Sequence, residues 1–321
     1  MRVLAKTAVF AIIVCSLASG QKAGKDLLAN HIRGELEFLA SDALQGRGSG
    51  THDELVTALY LSSELRQLGI EPGGDNGSYV QDASGEYKFP EGSKHWDTRN
   101  VIGVLPGRSA TMKNEVIMLS AHMDHLGIGK PVNSDGIYNG ADDDASGCVA
   151  VLELARFLAH EEPPKRTIIF VFFGSEETGG QGNEYFLAHP PVPLDKIVAN
   201  LEFEMIGRAD PAVKPDELWL TGFERSNLGP ELARHGAKLV ADPHPAQRFF
   251  QRSDNYALAR RGVIAHTVSS FGLHKDYHRP SDDLAHIDFQ HLLQATESMM
   301  LPVQWLANSD FKPSWLEGKK P

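Results

Sequence analysis

The chain has 321 residues, a formal net charge of −11 and 41% hydrophobic residues. That length allows one large α/β domain or two small ones, and the apolar content is that of a folded, soluble chain rather than a disordered one. The acidic balance argues against a nucleic-acid partner, because short basic pairs such as Arg260-Arg261 and Lys319-Lys320 make no stripe that could replace phosphate counterions.

Arg2 and Lys6 precede an apolar run, Ala8 to Val14, which is followed by small residues, Ser16 to Gly20. Charged, apolar, small is the order of a secretory signal peptide, and the run is too short to span a bilayer. Residues 1–20 are therefore read as a signal and the mature protein as exported, to a periplasm or outside the cell, with no membrane span after cleavage. Ile12-Ile13-Val14 is a poor context for lipid anchoring at Cys15. With Cys15 removed, Cys148 has no disulfide partner, and its place in an apolar run marks it as a buried small hydrophobe.

Leu27, Leu28, Ile32, Leu36 and Leu39 predict an amphipathic helix over 25–41, and Leu55, Ala58, Leu59, Leu65 and Leu68 a second over 52–68, stopped by Gly69. GRGSGT between them lacks the Gly-Lys-Ser/Thr of a phosphate loop. Residues 71–98, rich in Gly, Asp and Ser, read as a loop with at most a short edge strand, and as the place for a surface flap. Beyond Asn100, short apolar runs bounded by turn signals predict strands at NVIGVL, EVIMLSAH, TIIFVFF, IVANLEFEMIG, ELWLT and VIAHTVS. Helices are predicted over 145–160, from about Gln181, over 227–235, over 253–261 with Ser253 or Asp254 as cap, and over 288–306.

Alternating strands and helices imply a three-layer α/β/α fold: a mostly parallel, twisted sheet covered by helices on both faces. We expect one domain over 24–310 and a C-terminal tail over 311–321. Sites in such sheets lie beyond the carboxyl ends of the strands. Five motifs fall there: SAHMDHLG with His122, Asp124 and His125; GADDDASG with Asp142, Asp143 and Asp144; SEETGG with Glu176 and Glu177; NLEFEMIG with Glu202 and Glu204; and DYHRPSDD with Tyr277 and His278. Each alone has an ordinary reading as a helix cap, a core histidine or a solvated pair. Together they make one site. Mixed histidine and carboxylate donors suit zinc better than calcium. Five ligands exceed one tetrahedral zinc with an open position, but fit two cations sharing a carboxylate.

The order AHMDH, GADDDASG, SEETGG, NLEFEMIG, YHRPSDD resembles the co-catalytic zinc aminopeptidase family, which includes bacterial leucyl aminopeptidase and glutamate carboxypeptidase, with glutaminyl cyclase and the transferrin receptor as diverged relatives. LEFLASDALQGRGSGT and NVIGVLPG extend the likeness to nearly the whole mature chain. It implies two Zn2+ per chain, with His122 on one and His278 on the other, and Asp143 bridging them through a loop with a cis Asp143–Asp144 peptide. It further implies that Glu177 ligates the zinc of His278 and Glu204 that of His122. The family usually has Asp at the position of Glu204, so this chain departs from it by one methylene. Asp124 is implied to orient His122, Glu176 to be the general base, and Tyr277 to donate to the oxyanion. No chemistry is assigned to His125, His274 or Asp254. The implied activity is an aminopeptidase acting on peptides. The alternatives are a carboxypeptidase, for which Arg208, Arg225, Arg248 and Arg252 are available, a one-zinc glutaminyl cyclase, and a non-catalytic receptor-like module.

Overall fold

The computed structural model describes residues 24–89 and 92–321; residues 1–20, expected from the sequence to be a signal, and Cys15 with them lie outside these. Helix α1 (24–39) leads to α2 (His52–Gln67), whose first free N–H groups are met by the Thr51 hydroxyl accepting from Glu54 N at 3.2 Å. Strand β1 (Glu71–Pro72) and a long hairpin, β2 (Val80–Phe89) and β3 (Gly92–Leu105), precede β4 (Val116–His122). A small hairpin, β5 (Gly127–Val132) and β6 (Asp135–Tyr138), precedes α3 (Gly147–His160) and β7 (Thr167–Phe173). Then come α4 (Gln181–Ala188), β8 (Ile197–Phe203), β9 (Leu218–Leu220), α5 (Leu228–Arg234) and β10 (Leu239–Ala241). Helix α6 (Asn255–Arg260), β11 (Ala265–Ser269) and α7 (Phe289–Asn308) complete the regular structure.

The main sheet runs β1-β3-β7-β4-β8-β11-β9-β10, with β2 paired outside on β3. Its centre, β7, β4, β8 and β11, is parallel. The flanking β3 and β9 join it antiparallel. The alternation of side chains along a strand explains the layers. In β7, Ile168, Phe170 and Phe172 enter the cluster built with α1, α2, α3 and α7. The intervening Ile169, Val171 and Phe173 enter the cluster built with α4 and α6. An uninterrupted apolar run is what a strand buried on both faces requires. Among the described residues no helix is long and apolar enough to cross a membrane.

The sequence reading missed one substantial element. Residues 71–98, read as loop, contain β2 and the first part of β3, paired residue for residue from Val80↔Val101 to Phe89↔Gly92. The outer part of β3 is exposed, so backbone pairing rather than apolar burial defines this hairpin, and the pattern rules respond to burial. The small hairpin β5–β6 and the short β10 went unseen for the same reason. Residues 311–321, read as a tail, are docked: Phe311 and Trp315 pack against the core, and Trp315 bridges to Ser226.

Candidate metal centre

His122 ends β4, Glu176 and Glu177 follow β7, Glu204 follows β8, and His278 lies in the segment after β11. Parallel neighbours end on one side, so these side chains converge. Three of the turns that aim them place a non-glycine residue at positive φ: Ser175 (69°), Met205 (52°) and His278 itself (55°). Such a conformation costs on the order of 1 kcal/mol for an L-residue, so the surrounding packing must hold it.

The three consecutive carboxylates of the Asp loop have separate employments. Asp142 Oδ1 accepts from Gly207 N at 2.7 Å, and its Oδ2 lies 3.0 Å from His274 Nε2. Asp144 accepts from Gly147 N, Met205 N and His122 N at 3.0, 3.1 and 3.3 Å. Asp143 is left facing His122 and His278: its Oδ1 is 3.1 Å from His122 Nε2 and its Oδ2 3.3 Å from His278 Nε2. Asp282, from the last motif, pins this loop by accepting from Asp142 N and Asp143 N. The Asp143–Asp144 peptide is cis. Two glycines permit the close approach: a Cβ at Gly140 (φ +58°) would meet Asp143 O at 2.2 Å, and one at Gly147 would meet Phe203 O at 2.1 Å.

Two groups of donors share Asp143. His122, Asp143 and Glu204 offer ligand atoms all within 4.8 Å of one another, and so do His125, Asp143 and Glu177. His278 Nε2 adds to the second group, 3.0 Å from Glu177 Oε2. The structure thus brings all five implied ligands together and adds His125, which the sequence reading placed in the SAHMDHLG motif without assigning it any chemistry. Its Nδ1 is 2.7 Å from Glu177 Oε1, and the ring is fully buried. Of the paired glutamates in NLEFEMIG, Glu202 points away: its carboxylate accepts from Asn255 N at 2.6 Å and so caps α6. That replaces the expected cap, since Asp254 makes no side-chain capping bond and instead accepts from Asn183 Nδ2 at 2.9 Å.

Asp124 departs from its expected contact. His122 Nδ1 donates to the Asp124 carbonyl oxygen at 3.1 Å, while the carboxylate is 3.8 Å away. The carboxylate instead accepts from Glu176 N at 3.0 Å and from Ser49 Oγ at 2.6 Å. One residue thereby sets the His122 ring through its backbone and the Glu176 turn through its side chain. Cys148 is buried, donates to His122 O at 3.2 Å, and has its thiol pushed up by burial, the inert state expected of it.

Like charges crowd this space. Burial pushes the Glu176 carboxyl well above the usual range, with Glu204 adding and His122 opposing. Burial also drives Glu204 and Asp254 up to about 7. Burial works against protonated His278, but contacts with Asp143 and Glu177 raise it to about 10. Among the described residues, buried His122 Nε2, His278 Nε2 and Glu177 Oε1 make no hydrogen bond, although carboxylates or rings stand near them. Soft and hard donors converging with unspent lone pairs fit a borderline divalent cation on each side of Asp143. The adjoining cavity is lined by Asp143, Glu176, Glu204 and Tyr277, with Trp219 and Phe249 among its apolar walls. The Tyr277 ring stacks on His278, centroids 3.8 Å apart.

Residues 100–303 match the profile described as Peptidase family M28. A sequence named leucine aminopeptidase 1 from Neurospora crassa is 25% identical over 67% of this chain and 56% of its own length. Another of that name, from Pyrenophora tritici-repentis, is 24% identical over 90% of this chain and 73% of its own. The chain thus spans little more than half of the first relative. Among solved structures, a zinc aminopeptidase from Bacillus subtilis superposes with a TM-score of 0.68 at 15% identity, covering 91% of this chain and 97% of that one. Glutaminyl cyclase from Porphyromonas gingivalis does so at 0.64 and 19% identity, covering 88% and 98%. At such identities these two structures speak to the fold alone.

Proposed function

The chain belongs to peptidase family M28, and from that premise we propose that it is an exported zinc-dependent exopeptidase, an aminopeptidase that removes N-terminal residues from peptides. The observation that carries this reading is the sharing of Asp143 between two groups of histidine and carboxylate donors. In it, His122 and Glu204 would hold one zinc and His278 and Glu177 the other, with Asp143 common to the two groups. When bound, the two zinc ions supply Lewis acidity to the scissile carbonyl and to an attacking water.

The remaining work belongs to the chain. The Nδ1–H bond from His122 to the Asp124 carbonyl leaves the Nε2 lone pair free to take a cation. His125 is a further buried ligand candidate on the His278 side: its Nδ1 stands 2.7 Å from Glu177 Oε1, and among the described residues neither ring nitrogen makes a hydrogen bond. Glu176, held by its N–H on Asp124 and raised by burial, takes the proton of the attacking water and returns it to the leaving amine. Tyr277, on the cavity wall, donates to the developing oxyanion.

The test combines metal analysis with hydrolysis of leucyl-nitroanilide by the mature protein. Close to two zinc per chain, activity lost on chelation and regained with zinc, support the reading. Full activity at one zinc per chain, or none on any aminoacyl substrate, would sink it.

A further inference from the structure

Four arginines were available to bind a substrate carboxylate, and the fold has spent or removed three. Arg208 pairs with Asp276 at 2.8 Å and Asp282 at 3.0 Å. Arg225 donates to Lys319 O at 3.0 Å and lies over the Phe250 ring. Arg248 opens onto a separate depression shared with Glu224 and Asp242. Arg252 alone lines the cavity that holds Asp143, Glu176, Glu204 and Tyr277. It is exposed, and among the described residues its guanidinium has no carboxylate partner; it rests over the Phe249 ring, 4.9 Å from the centroid.

The position of Arg252 is specific. The catalytic cavity and a neighbouring groove share three residues, Glu176, Arg252 and Ser253. The groove continues past Glu184, Asp254 and Tyr256 to Arg260, its second arginine. The interior walls of the cavity, Trp219, Phe249 and Phe271, suit an uncharged side chain, and the hydroxyls of Thr221, Thr267 and Ser269 beside them carry no positive charge to balance a buried carboxylate. A substrate anion therefore reaches Arg252 from the groove side. That side adjoins Glu176, which hands its proton to the leaving amine, so the residue being released lies there. In a dipeptide, that residue carries the C-terminal carboxylate.

We propose that Arg252 receives the free C-terminal carboxylate of a short peptide, so that this site favours dipeptides over blocked or extended chains. The guanidinium fork matches a carboxylate bidentately, and its stacking on Phe249 holds its plane. The carboxylates crowding the site would otherwise repel a substrate anion. This inference rests on the hydrolase reading above and narrows its substrate class.

The experiment compares kcat/KM for leucyl-glycine, leucyl-glycinamide and leucyl-aspartamide in wild type, Arg252→Gln and Arg252→Lys, all zinc-loaded. An exposed charge-assisted pair predicts a preference of about tenfold for the free dipeptide over its amide in wild type. The preference should appear in KM, fall to near unity in Arg252→Gln, and recover in part in Arg252→Lys. Equal cleavage of leucyl-glycine and its amide by wild type, or a preference that survives Arg252→Gln, overturns the proposal and leaves the hydrolase reading intact. An Arg252-dependent preference for leucyl-aspartamide over leucyl-glycine also overturns it, moving the anion to a side chain. A wild type that cleaves none of the three overturns the hydrolase reading and the proposal with it.

Discussion

Arg47 and the metal centre are both buried, polar and close to the same loop, yet they are built on opposite terms. The Arg47 guanidinium donates to Met123 O and Gly140 O at 3.0 Å, to Leu39 O at 2.8 Å, and to Asn139 O. Each guanidinium nitrogen donates to at least one carbonyl, so the charge ties α1, the end of β4 and the start of the Asp loop together. Around Asp143, by contrast, buried ring nitrogens and a carboxylate oxygen go without hydrogen bonds while like charges press on one another. A buried charge that is fully bonded serves the fold; one left short is waiting for a ligand.

The sharpest test of that contrast removes one carboxylate from each role within the centre. Glu176→Gln keeps shape and hydrogen-bonding reach but cannot accept a proton. It should lower kcat by about 10²–10⁴-fold with zinc content near wild type. Glu177→Gln should lose zinc and activity together. Zinc loss in the first variant with retention in the second would exchange the two roles. Glu176→Gln should not lower the melting temperature of the metal-free protein, because burial already disfavours the charged form of that carboxyl.

Arg47→Met should do the reverse. It leaves the buried carbonyls of Leu39, Met123 and Asn139 without the Arg47 donor, Gly140 O keeping Ala145 N, and should destabilise the protein by roughly 3–5 kcal/mol in urea titration, the usual result of breaking a buried, bonded charge. A loss under about 1 kcal/mol would erase the distinction between the two regions.

The smallest effect concerns pH. Glu204 and Asp254 are raised to about 7 in the folded protein by burial, against about 4 for an exposed carboxyl. In the folded state they hold protons that the unfolded chain has released, so the native state binds more protons and stability falls as pH rises. Below about pH 4 the penalty is absent; above about 7 it is complete. Scanning calorimetry of chelated protein should show the melting temperature falling by a few degrees between pH 5 and 7.5, and the gain on adding zinc should grow over that window. A flat metal-free profile would mean that these carboxylates are relieved by some other route. His266, pushed down to about 4 by burial, acts in the opposite sense at the acid end, so that limb needs a separate fit.

Much of this protein was legible in its sequence. The apolar runs TIIFVFF and EVIMLSAH are β7 and β4, the helical spacings recur as α1, α2, α3 and α7, and the five motifs lie at or beyond strand ends. Local pattern reports burial and periodicity, and those suffice to order a parallel sheet and mark where its site must lie. The resemblance then picked Asp143 from three aspartates and Glu204 from two glutamates without a physical reason. Only the tertiary structure supplied one. Asp142 and Asp144 are consumed by N–H groups of Gly207 and Met205, more than sixty residues away. Glu202 is consumed by Asn255. The hairpin β2–β3, made by backbone pairing, left no apolar trace to read. His125 beside Glu177, Asp124 working through its carbonyl, and Arg252 as the one arginine in the cavity were decided the same way. Each depends on which partners distant segments bring within 3 Å or so, and composition, spacing and periodicity carry no record of that.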